Sequence, residues 1–267
     1  MTLNVSLRVP DGIVLASDSL ATLMTLINQK MNVKAKCDKC GADVDLKDVQ
    51  TPPITVPSST WPYAQKMYPI KKRFGLATWG SGFVNSRSIY NHVVELDPHL
   101  PAPVVGQEYF DVTSDFIVKY FQDQLLKEWQ KNGVDAALQP DDFRPFGFQM
   151  VGFKNDTSGD PIPITRALSI GKVPSVQDFG QLGATCTGDR TVVNLLWPGG
   201  NSGANFNAFS LQDAIDYAKF LVRTTSDYQR FSGKLPTVGG DIDVALVTNH
   251  LGFRWIAQKE LYRILDH

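Results

Sequence analysis

The first eighteen residues constrain this chain most. From Leu3 to Val9 apolar and polar side chains alternate, Pro10-Asp11-Gly12 supplies a turn, and Ile13-Val14-Leu15-Ala16 forms a second apolar run. Alternation with period two, a turn, and a buried run of strand length specify a β-hairpin at the start of the chain. A hairpin with one apolar face needs further layers to bury it. The remaining sequence must supply those layers.

Strand character resumes at Lys66-Met67-Tyr68-Pro69-Ile70 and Phe74-Gly75-Leu76-Ala77-Thr78-Trp79, which ends in Gly80-Ser81-Gly82. Apolar residues then recur at helical spacing from Phe83 to Leu96 and from Gln107 to Trp129, predicting two neighbouring helices. GFQMVGF and ITRALSI, separated by the turn-rich stretch 155–160, predict another hairpin. A third helix is expected over Asp189–Leu196. A fourth runs from Ser210, where Asp213 completes a variant capping box, to about Tyr228. Ile242–Thr248 and Gly252–Ala257 read as a last strand pair before a short terminal helix. Strands, two helices, strands, two helices and strands, in that order, argue for layered α+β packing. The polar segment from about Asn28 to Tyr63, rich in lysine and proline, interrupts the pattern as an insertion or lid, so the reading is one domain over 2–267 carrying that insertion.

Bulk properties exclude several functions. Of the 267 residues, 26 are Lys or Arg and 27 are Asp or Glu, so a net charge of -1 gives no electrostatic ground for nucleic acid or an anionic membrane as partner. No apolar stretch approaches transmembrane length, and MTLNVSLRVPDG lacks the apolar core of a secretory signal. Three cysteines, Cys37, Cys40 and Cys186, are too few for a disulfide framework, so a reducing cytoplasm is the expected compartment. Cys37 and Cys40 have the spacing of half a zinc knuckle, but no second pair or nearby histidine completes four ligands. No metal and no cofactor is expected, and Cys186 reads as an inert buried thiol.

Thr2 carries chemistry if it becomes the amino terminus, which trimming of Met1 would achieve. One residue then holds a nucleophilic hydroxyl and an α-amine of pKa about 7.7 to 8 that can take its proton near neutrality. TLNVSLRVPDGIVLASDSLAT resembles the mature start of proteasome β-type subunits, Anbu-like bacterial homologues among them, with Thr2, Asp18 and Thr22 at matching spacing. QKMYPIKKRFGLATWGSG resembles the family's lysine strand and the following strand that ends at glycine, through Lys66, Ile70, Gly75 and Gly80. About thirty extra residues separate the two matches.

The resemblance implies a four-layer αββα sandwich of the N-terminal-nucleophile hydrolase type and a threonine-type peptidase. Thr2 would be the nucleophile, Asp18 the acid holding Lys66 beside it, and Gly80 the oxyanion donor. Thr22, Gly80 and Gly82 would be edges that pair with an extended peptide, and Ala21, Tyr68 and Thr78 would line the first specificity pocket. Unfolded polypeptide or peptide would be the substrate inside a homo-oligomeric ring or spiral, which an unfoldase could feed. Lys34 and Lys36 compete with Lys66 for the lysine role. Thr185, Thr187, Asp227 and Ser232 are loose candidates for the shell around the amine. Two other readings stay open: an inactive scaffold or peptide-binding subunit of the same fold, and a small-molecule amidohydrolase using the same amine and hydroxyl.

Overall fold

The computed structural model describes residues 2–27, 30–36, 40–41, 43–50, 54–200, 202–233 and 235–259. The chain divides into two compact units, one of Met1–Ala21 with Trp61–His267 and one of Thr22–Thr60.

The first unit begins with β1 (Leu3–Val9) and β2 (Gly12–Asp18), paired antiparallel with Val9 opposite Gly12 across the turn at Pro10 and Asp11. The second unit holds β4 (Lys30–Lys36), β5 (Asp43–Gln50) and all but the end residues Ala21 and Trp61 of β3 (Ala21–Ile27) and β6 (Ile54–Trp61), with β3 beside β6 and β4 beside β5. The segment read as a polar insertion is thus largely strand, and the compact unit spans 22–60 where the sequence suggested 28–63.

The first unit continues with β7 (Met67–Ile70), β8 (Phe74–Gly80) and a two-rung ribbon of β9 (Phe83–Val84) and β10 (Arg87–Ser88). Here the structure corrects the helix expected from Phe83. Asn85 and Ser86 have φ of 49° and 64°, a left-handed backbone that a right-handed helix cannot contain. The helix α1 (Ile89–Leu96) starts only after Ser88, whose hydroxyl accepts the amide of Asn91. Then follow α2 (Tyr109–Lys131), β11 (Phe146–Asn155), β12 (Pro161–Ile170), β13 (Ser175–Phe179), β14 (Gly183–Gly188), α3 (Thr191–Leu196), α4 (Leu211–Phe231), β15 (Ile242–Thr248) and β16 (Gly252–Ala257). The expected capping box opens α4: Asp213 N–H donates to Ser210 Oγ, and Ser210 N–H donates to Asp213 Oδ2. The terminal helix read from sequence lies outside the described residues.

Two five-stranded antiparallel sheets organise this unit, in the orders β14-β1-β2-β15-β16 and β13-β12-β11-β8-β7. Alternation along each strand assigns its two faces. Leu3, Val5 and Leu7 pack with Ala214, Ala218 and Leu221 of α4. Phe74, Leu76, Phe146 and Phe148 pack with Ile89 of α1 and Phe110, Ile117 and Phe121 of α2. Ile13, Leu15 and Val247 of one sheet meet Met67, Ala77 and Val151 of the other. Each fully buried aliphatic or aromatic side chain contributes roughly 1.5–3 kcal/mol of transfer free energy.

The face of β1 turned from α4 is polar. Ser6 Oγ and Thr165 Oγ1 are 2.9 Å apart, and Gln149 Nε2 donates to Ser6 Oγ at 2.8 Å. Hydrogen bonds replace apolar contact there, as burial of polar groups requires.

Candidate active site

Asp18 ends β2 and is fully buried. Its Oδ1 accepts the Leu3 amide at 3.0 Å and Lys66 Nζ at 2.9 Å. Its Oδ2 accepts the amides of Leu20 at 3.2 Å and Gly239 at 3.0 Å. Four donors saturate the carboxylate, which is how a charge survives without water.

Lys66 precedes β7 and is also buried; Nζ donates further to the Leu20 carbonyl at 2.6 Å. Burial pulls its pKa below the ordinary lysine value, opposed by the Asp18 carboxylate. A second buried pair, Lys259 and Asp243, acts on Lys66 with opposite signs. Burial raises the pKa of Asp243 against the pull of Lys259, whose Nζ donates to its Oδ2.

Thr2 is buried at the head of β1. Its carbonyl accepts the Asp189 amide at 2.6 Å. Gly188 makes that approach possible: at φ 86°, a Cβ built on it would lie 1.9 Å from the Thr2 oxygen. Asp18 therefore holds the peptide on one side of Thr2, while Gly188 and Asp189 hold its carbonyl.

The neighbouring strand is tied to the same place. Thr78 N–H donates to the Lys66 carbonyl at 2.8 Å, and Asn4 Nδ2 donates to the Thr78 carbonyl at 3.0 Å. Gly80 ends β8 opposite Phe146 with φ 85°, and a Cβ there would fall 2.3 Å from the Pro145 oxygen. This position requires glycine for backbone reasons alone. Gly82 is exposed, with its carbonyl accepting the Ile89 amide at 2.9 Å. Tyr68 belongs to the core beneath α1 and α2, its hydroxyl donating to the Gln65 carbonyl at 2.7 Å. Ala21 is the last residue of the first unit before the break, and Thr22 the first of the second. Lys34 and Lys36 lie on β4 in that second unit, whereas the lysine on Asp18 is Lys66.

The loose shell candidates separate. Thr185 accepts from Arg8, and Thr187 accepts from Asn4 and donates to Gln149. Asp227 and Ser232 line a cavity of about 920 Å³ near the end of α4, together with Asp189, Gln229 and Thr237. Those last three form a cluster that sequence reasoning missed. Asp189 Oδ2 accepts Thr237 Oγ1 at 2.7 Å and Gln229 Nε2 at 2.9 Å, while Oδ1 accepts the Thr191 amide at 3.1 Å. Burial alone would raise the Asp189 pKa, but these hydrogen bonds outweigh it and hold the carboxyl below its ordinary value.

Among the described residues, no group of three or more His, Cys, Asp or Glu side chains could hold a metal ion. Cys40 is exposed, and Cys37 lies outside the described residues. Among those residues, no helix is long and apolar enough to cross a membrane.

No protein-family model and no curated protein matches the chain. Among solved structures it is similar to an Anbu mutant from Hyphomicrobium sp. strain MC1, at 12% identity and a TM-score of 0.49, over 99% of this chain and 91% of that one.

Proposed function

We propose that this chain is a threonine-type peptidase whose nucleophile is Thr2, exposed as the amino terminus by removal of Met1. One observation carries the reading: a single buried oxygen, Asp18 Oδ1, accepts both the amide following Thr2 and the ammonium of Lys66. A saturated carboxylate is thereby spent on holding a cation beside the head of β1.

In this reading the Thr2 hydroxyl attacks the scissile carbonyl carbon, and its proton passes to the Thr2 α-amine. The carbon–nitrogen bond breaks as that proton is delivered to the leaving amine, leaving an ester on Thr2. Water then hydrolyses the ester by the same route in reverse, releasing the acid and restoring the hydroxyl. A cation close by disfavours a second positive charge on the amine, so the amine stays able to act as base, and the same cation stabilises the developing alkoxide. The Gly80 amide supplies the oxyanion donor.

The reading extends to the fold and its setting. The two sheets and their helices form the αββα sandwich of N-terminal-nucleophile hydrolases, with 28–63 as an insertion. The chain assembles into a homo-oligomer that secludes the site from folded proteins and admits unfolded chains or peptides. The scarcity of cysteine supports a cytoplasmic setting.

The test is intact mass before and after an electrophile that condenses with a hydroxyl and its adjacent α-amine together, for the native chain and for Thr2→Ala. Loss of Met1 and one adduct on the native chain alone are expected. Retained Met1, or an adduct that persists in Thr2→Ala, would sink the reading.

A further inference from the structure

The buried cations of the first unit are not equivalent. Lys66 faces Asp18, Lys259 faces Asp243, and Arg166 faces Asp111 and Asp178. Arg8 is as buried as these, at 4% exposure, and has no carboxylate partner among the described residues. Its Nε donates to the Gln181 carbonyl at 2.6 Å, and Nη1 donates to Thr165 Oγ1 and Thr185 Oγ1, both at 2.8 Å. A guanidinium has five N–H groups, and three are thus committed to neutral oxygens. The remaining two are both on Nη2. Burial without a counter-charge pushes the Arg8 pKa down to about 10, so the group remains a cation at neutral pH.

Arg8 also lines a cavity of about 630 Å³ at the edge where β13 leads into β14. Gln181 and Gly183 also line it, and Trp197 and Phe206 add aromatic surface to the lining. Asp178 reaches the same cavity, but its carboxylate is held by Arg166 through Nε at 2.5 Å and Nη2 at 2.7 Å, with Lys154 at 3.6 Å. Its charge is already balanced. A volume of this size suits a small organic molecule, and Arg8, a largely buried cation in its lining whose Nη2 has no hydrogen-bond partner among the described residues, selects an anion. Arg8 sits five residues along β1 from Leu3, about 17 Å at strand rise, so the cavity is separate from the Thr2 centre.

We propose that this cavity is a binding site for a small organic carboxylate with an apolar body, the carboxylate on Arg8 Nη2 and the body against Trp197 and Phe206. The proposal does not depend on the peptidase reading. It is tested by thermal unfolding of the full chain titrated with phenylacetate, acetate or inorganic phosphate, at constant ionic strength held with chloride. Saturable stabilisation by phenylacetate is expected, with acetate at least tenfold weaker and phosphate weaker still. Arg8→Lys should weaken the phenylacetate response about tenfold and Arg8→Gln should abolish it. No saturable response in the native chain, an equal response in Arg8→Gln, or phosphate binding as tightly as phenylacetate would overturn the proposal. Should Arg8→Gln fail to fold, the Nε–H resonance of Arg8 in the native chain decides. It should shift saturably with phenylacetate, and an unmoved resonance while other signals saturate refutes the site.

Discussion

Replacing Asp18 by asparagine tests the electrostatic centre directly, because the change is nearly isosteric and removes only charge and one acceptor. In the native chain four donors converge on the carboxylate: Lys66 Nζ and the amides of Leu3, Leu20 and Gly239. Asparagine offers one oxygen and one NH2, so whichever way it turns, two donors face another donor. Each orphaned buried donor costs about 1–3 kcal/mol. Leaving a buried cation without its partner costs about 3–5 kcal/mol, a figure that overlaps the first. We expect a loss of about 4 kcal/mol in denaturant-derived stability at pH 7, a large share of the roughly 5–15 kcal/mol of an ordinary domain. The sign of the pH dependence also follows. Lys66 titrates in the folded chain below its unfolded value of about 10.4. Between those two values the unfolded chain binds more protons, so stability rises with pH there. Removing Asp18 lowers the folded value further, so the deficit of Asp18→Asn should shrink as pH rises through the interval between the two folded values. The assay is urea unfolding of the native chain, Asp18→Asn, Lys66→Met and the double variant across pH 7 to 10. Lys66→Met in the Asp18→Asn background should restore stability by removing the stranded charge. A loss under about 1 kcal/mol, or strictly additive single effects, would refute the reasoning.

Two further outcomes follow from the same packing. Gly188→Ala would place a methyl 1.9 Å from the Thr2 oxygen at a left-handed φ of 86°, so it should displace Thr2 and abolish Thr2-dependent labelling in mass spectrometry, whereas Gly82→Ala, with nothing within 4 Å of its Cβ, should retain it. Cys186 is buried and its thiol is pushed up to about 12, so native protein at pH 7.5 should leave Cys186 unalkylated while exposed Cys40 reacts, and labelling of Cys186 should appear only in denaturant.

Local signals read well from the sequence wherever local forces set the structure. The first hairpin, the span of α2, the β11–β12 hairpin and the Ser210–Asp213 capping box each rest on periodicity or on residues within four positions. The readings that failed have equally specific causes. The apolar period from Phe83 is genuine, but two left-handed residues, Asn85 and Ser86, delay the helix to Ile89. β13 gave no alternation because four of its five residues are exposed. The stretch 30–50 reads as part of a polar insertion, and within it KMNVKAK, which alternates with period two, forms β4, while DVDLKDVQ, whose alternation breaks at Asp48, forms β5. At the candidate site, the family resemblance singled out Asp18 and Lys66, which form an ion pair in the structure. It did not find the Gly239 amide or the Asp189–Gln229–Thr237 cluster, since those contacts close across loops whose ends no local pattern relates.

The hydrogen bond from Gly239 to Asp18 spans 221 residues. A chain still emerging from the ribosome carries its first hairpin and Lys66 long before Gly239 exists, so the buried Asp18 carboxylate stays incompletely bonded until Gly239 has been added. Completion of the centre is therefore a late event set by topology. Under the peptidase function proposed above, Thr2 would become competent only when the rest of the unit is ready to fold around that carboxylate, and the nascent chain would be spared its own chemistry.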